Sequence, residues 1–142
     1  MNNKVLMGGL AAGVVFFLLG WLLYGMLLMD TMANYAGPAY EAASRGADVD
    51  MLWLIIGNLA MGLFLAMVCG WAGSTSAGSG AGTGFWFGLL LGIGMDGMLL
   101  GTTNLMTVTG MVIDVLVFTL MCVVAGAVAG MVMGMSGRTA TA

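Results

Sequence analysis

Apolar residues in this chain come in four long runs divided by short polar stretches, and they do not alternate with polar ones. The run from Val14 to Leu23 is apolar at nearly every position. A half-buried soluble helix would admit a polar residue every third or fourth place, and a barrel strand would alternate. A helix with apolar groups all round needs about 20 residues to cross the hydrocarbon of a bilayer. The pattern predicts four such helices, Val5–Met29, Met51–Gly73, Gly84–Gly101 and Met111–Met135. The fold class that follows is all-α: one domain, an integral membrane four-helix bundle. Lys4 precedes the first run in the manner of a signal peptide, yet that run far exceeds the roughly 7 to 15 residues of such a signal and is expected to be retained.

The stretches between the runs predict little chemistry. In the outer loop 30–50, Pro38 suits the first turn of a short helix, Glu41 and Arg45 stand one turn apart, and Gly46 can end it. A connector is the simpler reading of this loop, and partner docking the alternative. The loop 74–83 contains only Gly, Ser, Ala and Thr and is expected to be flexible. With no lysine after its glycines and no strand before them, it is not a phosphate cradle.

Composition strengthens the membrane reading. With 61% hydrophobic and 6% charged residues and a mean hydropathy of +1.10, there is too little polar surface to coat a soluble fold. Three basic residues leave no nucleic-acid footprint. Lys4 and Arg138 share a side with the Ser/Gly loop, whereas Arg45 lies opposite among Asp30, Glu41, Asp48 and Asp50. The positive-inside rule then assigns both termini to the cytoplasm. Cys69 and Cys122 fall within runs and read as small apolar core residues. Sixteen methionines without one histidine make no metal pattern and serve as adaptable packing, so no cofactor is expected.

Glycine spacing is more informative. Gly84, Gly88 and Gly92 recur every fourth residue in the third run, and Gly126, Gly130 and Gly134 do so in the fourth. Small residues at this spacing let helix backbones approach closely in lipid, where no hydrophobic effect drives helices together. Close packing of helices three and four along these rows is the simplest expectation, with a homo-oligomer seam as the competing use.

Polar residues inside the runs gather at one depth. Asp96 lies near the outer end of the third run, Asp114 near the outer end of the fourth, Tyr24 near that of the first, and Asn58 roughly two turns down the second. Thr102, Thr103, Asn104, Thr107 and Thr109 crowd the connection between the last two. No basic residue within the runs neutralises the acids, and two buried carboxylates would cost several kcal/mol apiece. A proton, a bound cation such as Na⁺ or Ca²⁺, or a watery vestibule could each relieve this. The plain alternative is that these groups cap the turn and join helices by hydrogen bonds of about 1 kcal/mol each.

The stretch Gly101-Thr102-Thr103-Asn104-Leu105-Met106-Thr107, followed by Asp114, resembles a pattern in small four-helix bacterial membrane proteins, as does Gly20-Trp21-Leu22-Leu23-Tyr24-Gly25 in the first helix. The resemblance implies four helices, a bacterial inner membrane and a role for Asn104 and Asp114. It implies no activity. Gly92-Ile93-Gly94-Met95-Asp96 is only superficially similar to the motif of intramembrane aspartyl proteases, with an extra residue before the acid and no Tyr-Asp pair.

The functional expectation is a non-enzymatic structural or accessory subunit whose partners are the lipid bilayer and either copies of itself or a larger membrane complex. The runner-up is a small cation- or proton-coupled transporter or channel built on Asp96 and Asp114.

Overall fold

The computed structural model describes residues 2–46 and 48–138, with side chains as far as Met135; the side chain of Arg138, used above for orientation, lies outside the described residues. It is an all-α bundle. Its elements are α1 (Asn3–Leu22), which runs on into a π-helical turn at Leu23–Leu27, then α2 (Met29–Asn34), α3 (Tyr40–Ala43), α4 (Met51–Trp71), α5 (Ala77–Thr102) and α6 (Val108–Arg138). Four spans are long and apolar enough to cross a membrane: Asn3–Leu27, Met51–Trp71, Ala77–Thr102 and Val108–Met135. On α4, Trp53 and Trp71 are both exposed, and 18 residues of helix separate them by about 27 Å. That spacing matches the hydrocarbon thickness of about 30 Å and suits tryptophans seated at two membrane surfaces.

The helices begin and end where local chemistry satisfies their free backbone groups. Asn2 and Asp50 accept hydrogen bonds from the Lys4 and Trp53 amides at the starts of α1 and α4. Ser76 and Ser79 cap the start of α5 reciprocally, each hydroxyl accepting from the other's amide at 3.1–3.2 Å. This cap starts the helix seven residues before Gly84, so most of the 74–83 stretch expected to be a flexible loop is helix. The α4 end is closed by Gly73, at φ +69, with Ser74 donating to the Cys69 carbonyl and Gly73 to that of Gly70. The outer-loop helix is shorter than expected: it stops at Ala43, and Arg45 meets Asp50 at 3.9 Å, not Glu41.

The glycine rows face each other within one chain. A Cβ at Gly80 would collide with the carbonyl oxygen of Gly126, one at Gly84 with that of Cys122, and one at Gly130 with that of Ser76. The α5–α6 seam is thus backbone against backbone. It loosens along its length: a Cβ at Gly88 would sit 2.8 Å from the Thr119 Cα, whereas at Gly92 the nearest atoms are 3.5 Å away. A second seam joins α1 to α4, where a Cβ at Gly62 would strike the Gly13 amide and one at Gly9 would come within 2.8 Å of the Leu63 Cα.

α6 packs against all three other spans and joins the two seams. Small residues make this close approach feasible: the core contains Ala12, Ala66, Cys69, Cys122, Ala125 and Ala129, with Phe16 and Leu65 filling the wider gaps. Phe16 stacks on Phe118 at 6.3 Å between α1 and α6, and Phe64 meets Phe87 edge-on at 5.1 Å between α4 and α5. Both cysteines are free and buried.

Candidate functional site: an acid pair beneath a strap

We call the end where α1 and α5 begin the termini end, and the opposite one the far end. The contact between α5 and α6 is looser at Gly92 than nearer the termini end. Asp96 lies six residues before the end of α5 and Asp114 six residues after the start of α6, so the antiparallel helices hold both about 9 Å below the connection. Tyr24 arrives from α1 in the π turn, where the Leu28 amide donates to the carbonyl of Leu23 at 2.7 Å. Such single π turns inside α-helices occur often at functional sites, because the extra residue redirects side chains.

Asp114 is the shared neighbour: both the Asp96 carboxyl and the Tyr24 hydroxyl come within interaction range of it. Among the described residues, Asp96 Oδ2 is enclosed and has no hydrogen-bond partner. The chain's three basic residues are Lys4, Arg45 and Arg138, none of them in the far half of a span. Among the described residues the ion pair is Arg45 with Asp50 in the loop, and no basic side chain pairs with either acid.

The remaining residues expected at this site are engaged elsewhere. Asn58 is half-buried on α4 and its amide nitrogen donates to the Leu54 carbonyl of its own helix at 2.8 Å. The Thr103 hydroxyl donates to the Leu99 carbonyl at 2.7 Å and accepts from the Leu105 amide at 3.3 Å, closing the end of α5. The side chain of Asn104 is exposed, and its backbone carbonyl accepts from the Ala39 amide at 3.1 Å. The structure brings together Tyr24, Asp96 and Asp114, and leaves Asn58, Thr103 and Asn104 to backbone work.

That work assembles a cover. The segment between α1 and α4 folds over the α5–α6 connection and pairs with it as a short antiparallel bridge, Ala36 opposite Met106. Gly37 donates to the Leu105 carbonyl at 2.9 Å, while the amide and the hydroxyl of Thr107 both donate to the Tyr35 carbonyl, at 3.3 and 2.6 Å. The fit is close at two glycines: a Cβ at Gly37 would strike the Asn104 carbonyl, and one at Gly110 would lie 2.6 Å from the Tyr35 oxygen. The sequence places Thr107 among the polar residues of this connection, but its bond to Tyr35 and the close fit at Gly37 and Gly110 carry no signal in residue order.

Among the described residues no group of three or more His, Cys, Asp or Glu side chains could hold a metal ion. Compared with known proteins, the chain matches no protein-family model, no curated protein and no solved structure.

Proposed function

We propose that this is a non-enzymatic multi-pass membrane protein whose working centre is the Tyr24–Asp114–Asp96 group, where a proton or a small monovalent cation binds and exchanges with the far side. The observation that carries the reading is the enclosed, unpartnered Oδ2 of Asp96 beside a second carboxyl. A group that served only to tie helices together would spend its acceptors on donors, and an orphaned buried acceptor costs about 1–3 kcal/mol, more when charged. A proton shared by the pair, or one bound cation, removes both the orphan and the repulsion. Calcium takes about 6–8 oxygen ligands, and two carboxyls with one phenol fall well short of that. With the Asn58 amide and the Thr103 hydroxyl bonded within their own helices and the Asn104 side chain exposed, the donor set favours H⁺ or Na⁺.

Purified protein in liposomes under a pH or Na⁺ gradient tests this. Flux should be lost in Asp96→Asn and in Asp114→Asn and reduced in Tyr24→Phe; flux that survives both acid substitutions rules the centre out.

A structural or accessory role is the second reading, supported by a different observation. Only 22% of the most apolar window of α4 and 17% of that of α5 are buried within the chain, leaving broad apolar faces for lipid or for another protein. Extraction in a mild detergent followed by mass determination of the intact particle decides between a large hetero-assembly and a small particle of this chain alone. The charge asymmetry and the bacterial resemblance support a bacterial plasma membrane with both termini in the cytoplasm, which reporter fusions at each end would test.

A further inference from the structure

We infer that Met29 to Gly46 forms a hinged strap that gates aqueous access from the far end to Asp96 and Asp114, which deepens the reading above by naming what controls that site. Three observations carry it. The strap is seated by polar contacts and not by a core: α2 and α3 bury no residue, and the attachment consists of the Gly37, Ala39 and Thr107 amide bonds with that of the Thr107 hydroxyl. Segments held by a few partly exposed backbone bonds open far more readily than the bundle they cover.

The seat is the α5–α6 connection, which joins the helices about 9 Å beyond the two acids. Lifting the strap uncovers that connection and, beyond it, the less tightly packed end of the seam, where a Cβ at Gly92 would stand 3.5 Å from its nearest neighbours. The strap is also continuous with the site, since α2 starts two residues after the π turn that carries Tyr24. A π turn can revert to α-helix by a one-residue shift of its hydrogen bonds, so movement of the strap and reorientation of Tyr24 are one event.

A reversible lock tests the gate. Ala36 and Met106 form the non-hydrogen-bonded type of antiparallel pair, whose Cα separation of about 4.5 Å suits a disulfide. In the full-length Ala36→Cys/Met106→Cys protein, a water-soluble carbodiimide with a glycine ester labels accessible carboxyls, read by mass spectrometry of the peptides. Exposed Asp30, Glu41 and Asp48 serve as internal standards. Oxidation should slow labelling of Asp96 and Asp114 by about tenfold or more relative to those standards, and reductant should restore it. Gly37→Ala, which unseats the strap against the Asn104 carbonyl, should speed it. Equal rates in the locked and reduced states, zero included, would overturn the gate, as would failure of the disulfide to form. Ion flux is measured separately: gated labelling without flux retains the strap and removes the proposed centre, and acid-dependent flux with ungated labelling does the reverse.

Discussion

The two halves of this bundle are built on opposite principles. Toward the termini end, helices touch through their backbones: carbonyls of Gly126, Cys122 and Ser76 occupy the places where side chains of α5 and α6 would otherwise stand. Toward the far end the glycine contact loosens, and that half carries two acids, a tyrosine on a π turn and a hydrogen-bonded strap. In lipid, burial of apolar surface gives helices no preference for each other, so close van der Waals contact must supply the affinity. The difference teaches that concentrating this contact at one end leaves the other free to hold groups that oppose tight packing.

The largest effects should come from invading the tight half. Gly84→Leu sets a side chain against the Cys122 carbonyl, which no rotamer can relieve, and should remove more than about 3 kcal/mol of stability. Thermal melting in detergent should show an unfolded chain; recovery of folded monomers from a dissociated oligomer would contradict an intramolecular seam. Gly62→Leu should act similarly on the α1–α4 seam. The far half should tolerate more. Asp96→Asn with Asp114→Asn should leave the melting temperature unchanged or raise it, since removing unpaired buried charge is neutral or stabilising, while abolishing flux. Thr107→Val deletes the 2.6 Å bond to Tyr35 and the 3.1 Å bond from the Gly110 amide. It should loosen the strap by about 1 kcal/mol, visible as faster hydrogen exchange at Gly37 and Ala39 without a change in global melting. At the small end, Gly94→Ala enters open space on α5 and should stabilise the helix by about 0.5–1 kcal/mol, a control showing that glycine content alone is not what binds the halves.

Much of the tight half could be read from residue order. The four spans follow from uninterrupted apolar runs, and the Gly84 and Gly126 rows from their regular fourth-residue spacing. The row on α5 extends one turn further, to Gly80, because the Ser76–Ser79 cap begins the helix inside a stretch whose composition signals flexibility. The α1–α4 seam escaped notice because it is asymmetric: Gly9 and Gly13 on one side meet the lone Gly62 on the other.

The far half was legible only in part. Acids inside apolar runs stand out, and counting from the ends of the runs, about five residues for Asp96 and three for Asp114, sets them at similar depth. Which polar groups join them depends on side-chain direction and on what the backbone demands first. Asn58, Thr103 and Asn104 satisfy carbonyls and amides nearby, while Tyr24 reaches Asp114 from a π turn that no residue pattern announces.

The central position of α6 bears on how the chain is made. Ribosomes deliver the spans in order, and α5 is the least apolar of them, with a mean hydropathy of 1.4 against 2.2 to 2.5 for the rest. Its most extensive contact is with α6, which emerges after it. During synthesis the glycine row of α5 therefore waits in the membrane without its match, carrying Asp96 into the bilayer before Asp114 and the strap's seat exist. The bundle's tightest joint is the last to close, so biogenesis should depend on whatever shelters α5 during that interval.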